Sequence, residues 1–148
     1  MPGLIKNGVF AGMAFAVSSS VASACSYPLS SLDDKIAHAD QIFIATLEEA
    51  KIIPGNYPTR RPTIEGAFRV DDTLKGQVQA AEIKLSTGLG GGDCGIPMIV
   101  SATYIIFKQR DTNSIWTPSG TSVIEQFQAP EVAEKIRSAV EKNKIKLK

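Results

Sequence analysis

Side chains able to do chemistry are scarce in this sequence, which has a single histidine, His38, and two cysteines, Cys25 and Cys94. A Ser/His/Asp triad would have to use His38, and no nucleophile signature accompanies it. At a predicted helix end, His38 reads as structural. Cys25 with His38 would suit a thiol nucleophile, but pairing the two cysteines would remove that thiol. These three residues are too few for a structural zinc site, which takes four ligands. Gly90-x-Gly92-x-x-Gly95 is a formal GxGxxG. Pro97 follows at once, so no helix opens there to receive a phosphate, and the lysine and hydroxyl of a P-loop are missing. The run reads as a flexible connection. Asp33-Asp34 and Asp71-Asp72 are adjacent pairs; neighbours on a strand point to opposite faces, and neither pair has calcium-loop spacing. The residues predict a protein that is not an enzyme, with no cofactor and no metal of its own.

The amino end predicts export. Lys6 is the sole charge before Cys25, and the apolar stretch 9–17 follows it. That length suits a secretory signal and falls short of the roughly 20 apolar residues that span a bilayer. Ala22-Ser23-Ala24 is a small-x-small cleavage site. Residues 1–24 therefore read as a signal peptide, the protein as secreted or periplasmic, and Cys25 as the first mature residue. A lipid anchor on Cys25 is a competing reading, because a cysteine directly follows the small residues. An uncleaved N-terminal helix is another.

Losing Lys6 leaves the 16 basic residues one fewer, level with the 15 acidic ones. A balanced chain is no general polyanion binder, so no nucleic-acid partner is expected. The tail carries Lys135, Arg137, Lys142, Lys144, Lys146 and Lys148. With no aromatic residues interleaved, these read as a solvated helix end rather than a binding stripe. In an exported protein two cysteines read first as a disulfide, and Cys25 with Cys94 is the one pairing open. It would close a loop of about 70 residues, near 4 kcal/mol in the chain-entropy picture.

The elements that would position these residues follow from periodicity. Ser30-Ser31 caps a short helix whose Leu32, Ile36 and Ala37 share a face. Residues 41–53 read as a strand, whose apolar Ile42, Phe43, Ile44, Ala45 and Leu47 imply cover on both faces. Three prolines and a glycine make 54–62 an exposed hairpin loop. Residues 63–75 alternate, placing Ile64, Gly66, Phe68, Val70 and Leu74 on one side. Further strands are expected at 82–87, 99–108, 114–117 and 121–127, with turns at 75–77, 110–113 and 118–120. Pro130 opens a helix with Val132, Ile136, Ala139 and Val140 on one face. No βαβ alternation occurs, so the fold is mainly β, a small closed or partly closed barrel. The division is 1–24 signal peptide, 25–128 β domain, 129–148 C-terminal helix and basic tail.

A cysteine after a signal peptide, a short helix, the strand ADQIFIATLEEA, a Pro-rich loop, FRVDDTLKG, a strand, CG and ATYIIFKQRD occur in that order. The order resembles the netrin-like (NTR) domain of the tissue inhibitors of metalloproteinases (TIMPs) and their bacterial relatives, over residues 25–120. The resemblance implies an OB-fold-like five-stranded Greek-key barrel with a short N-terminal and a C-terminal helix. It implies that the Cys25 amine and carbonyl chelate the catalytic zinc of a partner metalloprotease. Ser26 would enter the specificity pocket, Tyr27 and Pro28 would lie along the cleft, and Gly95 would line the same ridge. The chain departs from the family in having Tyr27 where a second cysteine stands and in lacking the other disulfides and the C-terminal subdomain. The alternative is a periplasmic or cell-surface adaptor that binds a protein through Tyr57, Arg60 and Arg61. Either way a monomer with a protein partner and no membrane span is expected.

Overall fold

The computed structural model describes residues 31–56, 58–90 and 92–146. The first element is helix α1, Leu32–His38. Ser31 starts it with a capping box: Asp34 N–H donates to Ser31 Oγ at 3.2 Å, and the Asp34 carboxylate accepts from Ser31 N–H at 3.0 Å. Two of the donors that a helix start leaves unpaired are thereby satisfied. Ile36 is the buried anchor of α1, while Ala37 is exposed and Ala39, just past the helix, is buried instead. The short helix turns about its Ile36 contact, which places Ala37 on the solvent side. At its far end Lys75 Nζ donates to the carbonyls of Ile36 and Ala39, both at 2.6 Å. Burial lowers the Lys75 pKa, against the attraction of Asp40.

Five antiparallel strands follow: β1 Gln41–Ile53, β2 Thr63–Lys75, β3 Glu82–Thr87, β4 Thr103–Lys108 and β5 Ser122–Ile124. They form one sheet in the order β3-β2-β1-β4-β5. Helix α2, Ala129–Lys146, closes the described chain. The class is mainly β, as the sequence predicts. The expected barrel is not closed: the sheet is open between its edge strands β3 and β5. An isolated parallel bridge, Ser86 to Ser114, spans part of that gap. The expected return strand at 114–117 yields that bridge and then stops, because Thr117–Ser119 turns into a 3₁₀ helix at Pro118, which has no N–H to give a ladder.

The continuous apolar run of β1 does what such a run requires. Ile42 and Ile44 face one hydrophobic cluster; Phe43, Ala45 and Leu47 face the other. β4 is buried along its whole length and divides likewise, Ile105 and Phe107 to the first cluster, Tyr104 and Ile106 to the second. The first cluster is covered by α1 and by Ala133, Ile136 and Val140 of α2. The second fills the other side of the sheet with Phe68, Leu85, Ile96 and Ile115. Register shifts between β1 and β2 at 42/43, 44/45 and 47/49 add local twist that wraps the sheet around this cluster. They also explain why Leu74 packs in the first cluster although Phe68, on the same alternation, packs in the second.

Two further expectations change. Residues 99–102 form a turn rather than the start of a strand, and the last strand spans 122–124 only, followed by a 3₁₀ turn at Gln126–Gln128. Ser101 sits at φ 70°, a left-handed conformation that no strand accommodates.

Candidate functional site

The loop 88–102 joins the end of β3 to the start of β4. Asp93 organises its first half: the carboxylate accepts from Leu89 N–H and Gly90 N–H at 2.8 Å each, and from Gly95 N–H at 3.0 Å. Partial burial opposes the charge, but these donors outweigh it and hold the carboxyl below its ordinary value of 3.8. Two glycines of the loop, Gly88 and Gly95, leave room for this arrangement. A Cβ at Gly88 would strike the Asp93 carboxylate, and one at Gly95 would strike the Gly88 carbonyl oxygen. Among the described residues of the GxGxxG run, Gly90 and Gly95 are tied to Asp93, in a stretch the sequence reads as a flexible connection. Aspartate after a glycine run is a known turn-former, and that is the signal through which sequence alone points to Asp93.

The rest of the loop is tied down residue by residue. Ile96 is buried and donates its N–H to the buried Thr87 Oγ1 at 3.0 Å. Tyr104 reaches out of the second cluster, donates its O–H to the Pro97 carbonyl at 2.8 Å and accepts from Ile99 N–H at 2.7 Å. Its ring meets Phe68 edge-on, with centroids 5.3 Å apart. Burial raises the Tyr104 pKa, against the hydrogen bond from Ile99. Ser101 N–H donates to Leu47 O at 2.7 Å and Leu47 N–H to Ala102 O at 3.1 Å, so the loop ends by extending the β1–β4 ladder. On this fixed backbone three large apolar side chains face solvent: Leu89, 49% exposed, Ile99, 53%, and Val100, 52%.

Cys94 and Gly95 lie on this loop. Cys94 is not a free thiol and adopts φ 57°. Its carbonyl accepts from Thr117 N–H at 3.1 Å, which ties the loop to the 3₁₀ turn. Cys25, Ser26, Tyr27, Pro28 and Tyr57 lie outside the described residues. Arg60 and Arg61 are exposed on the loop between β1 and β2, where Arg60 N–H and Thr59 Oγ1 both donate to the Asn56 carbonyl, at 2.8 and 2.6 Å. Because Thr87 pairs with Ile64, the loops 54–62 and 88–102 leave the sheet at the same end. His38 is exposed at the end of α1 and belongs to neither loop.

Among the described residues, no three His, Cys, Asp or Glu side chains are grouped to hold a metal ion. No described helix is long and apolar enough to cross a membrane. Comparison with protein-family models and with curated proteins finds no match to this sequence.

Proposed function

We propose that this chain is an exported, TIMP-like protein-binding module that grips a partner protein with the ridge formed by residues 88–102. The observation that carries this reading is the pairing of exposed Leu89, Ile99 and Val100 with a backbone held by Asp93 and Tyr104. Apolar side chains on a preset backbone cost less to order when a partner covers them, which leaves more of the contact energy for affinity. Large exposed apolar groups on an ordered surface are also what partner sites present. The test compares retention of the native partner by three forms of the protein. Leu89→Ser with Ile99→Ser and Val100→Ser is expected to abolish retention, while Arg60→Ala with Arg61→Ala leaves it intact. The opposite pattern moves the partner site to the 54–62 loop.

A second reading deepens the first: the partner is a zinc metalloprotease, inhibited through the Cys25 amine and carbonyl. It is favoured by Cys94 not being a free thiol and standing on the same loop, next to Gly95. A disulfide from Cys94 would fix the mature terminus beside the ridge. An α-amine titrates near pH 7.7–8.0, so a useful neutral fraction has a lone pair for the position that catalytic zinc keeps open. A protein starting at Cys25 should inhibit a susceptible protease, and one added residue before Cys25 should abolish inhibition. Equal inhibition by both forms rules out chelation.

A further inference from the structure

A cleft of about 360 Å³ opens between α1 and the segment that follows β4. Pockets for small organic ligands run from roughly 300 to 1,000 Å³. Its walls include Lys35 and His38 from α1, Phe107 and Lys108 from the end of β4, and Trp116 and Pro118 from the 3₁₀ turn. Three of these side chains are cationic or can become so, and no carboxylate lines the cleft among the described residues.

Three acids lie near the cleft without lining it: Asp34 attracts His38, and Asp111 and Asp40 attract Lys108. Asp34 is held in the capping box by Ser31, and Asp40 accepts from Arg110 N–H at 2.9 Å. Lys35 and His38 belong to none of the ion pairs between described residues. Three residues apart on one helix, they are neighbours on its surface. Lys108 is buried, and its Nζ donates to the carbonyls of Gln109 and Arg110 at 3.0 and 3.1 Å; burial lowers its pKa, against the attraction of Asp111 and Asp40.

The opposite wall is fixed. Buried Thr121 accepts from Phe107 N–H at 2.9 Å, and Ser119 Oγ donates to the Trp116 carbonyl at 2.7 Å. Gly120, at φ 105°, leaves room for the Lys35 stem: a Cβ there would lie 3.1 Å from Lys35 Cδ and 3.2 Å from the Phe107 ring. The lysine stem therefore runs over this glycine toward the cleft. The arrangement joins an aromatic and a proline surface to the side chains of Lys35 and His38, with no carboxylate among the described residues of the lining.

We propose that this cleft binds a small organic anion with a flat aromatic body, its carboxylate between Lys35 and His38 and its ring against Trp116 and Pro118. The proposal is independent of the docking ridge. The probes are 2-naphthoate and its uncharged counterpart 2-naphthamide, titrated into the isotopically labelled full chain and followed by amide chemical shifts. Naphthoate should shift amides at 35–39 and 107–119 and bind at least fivefold more tightly than naphthamide. Lys35→Gln and His38→Gln should each weaken naphthoate at least fivefold and leave naphthamide unchanged. Shifts confined to other regions, equal affinity for the two probes, no binding by naphthoate, or indifference to both substitutions would each overturn the proposal. The comparison of the two probes needs no variant, so it stands even where a substitution perturbs folding.

Discussion

At the scale of single residues, Asp93 and Tyr104 hold the candidate ridge, and neither shows in hydrophobic periodicity, although the turn-forming aspartate after the glycine run marks Asp93. A polar residue that bonds to its own loop leaves no hydrophobic period, and a tyrosine hydroxyl bonding to a turn looks, in sequence, like one more apolar strand residue. Tyr104→Phe keeps the packing against Phe68 and orphans Ile99 N–H and the Pro97 carbonyl. A loss of about 1–3 kcal/mol is expected, read from the urea midpoint. Asp93 gives a pH dependence of known sign. Its folded pKa is depressed, so its contribution is full above the unfolded value near 3.8 and is lost as pH falls through the lower folded value. Hydrogen exchange at Leu89, Gly90 and Gly95 should therefore gain extra opening below about pH 4. Asp93→Asn should show faster exchange already at neutral pH and no such acid step; an unchanged acid step in the variant would exclude Asp93 as its source.

At the scale of elements, much was legible. The apolar run at 42–45, resumed at Leu47, announced a strand covered on both faces, the Pro-rich 54–62 announced the hairpin loop, and Ser31 announced the start of α1. What failed was continuity. Ile99 and Val100 are strand-forming, but Tyr104 pulls Ile99 into a turn and Ser101 adopts a left-handed backbone, a tertiary preference that overrides the local one. The cleft was beyond reach because its walls come from 35–39, 107–114 and 116–119, stretches that only the fold brings together. Lys75 illustrates a similar long-range link: its ammonium closes the carbonyl end of α1 from a strand far along the chain. Lys75→Met should fray that end, lowering helix signal and the melting temperature, by about 1–3 kcal/mol in stability for two carbonyls left without a partner. Ser31→Ala acts at the other end and should cost about 1 kcal/mol. Being at opposite ends, the two losses should add in the double variant, within about 0.5 kcal/mol.

At the scale of the whole molecule, α2 is part of the core rather than an appended tail. Ala133, Ile136 and Val140 cover the first cluster, and Arg137 pairs with Asp72 of β2 at 2.6 Å. Ile136→Ala should cost about 2–5 kcal/mol. A chain ended at Gln128 should expose Ile42, Ile105 and Phe107 and lose its cooperative thermal transition, measured by calorimetry; a normal transition would show α2 to be dispensable. β1 has a wider consequence. It pairs with β2 across one loop and with β4 only after the 49 residues 54–102, and it contributes to both clusters. Local pairing closes first because its loop entropy is smaller. The β1–β2 hairpin is then the expected nucleus of assembly, with β4 and α2 expected to complete both clusters afterwards. In stopped-flow experiments Phe68→Leu should mainly slow refolding, whereas Ile136→Ala should mainly speed unfolding. The lifetime of the native state is then set by how firmly the last-arriving helix holds, since its release uncovers a strand on which both halves of the interior depend.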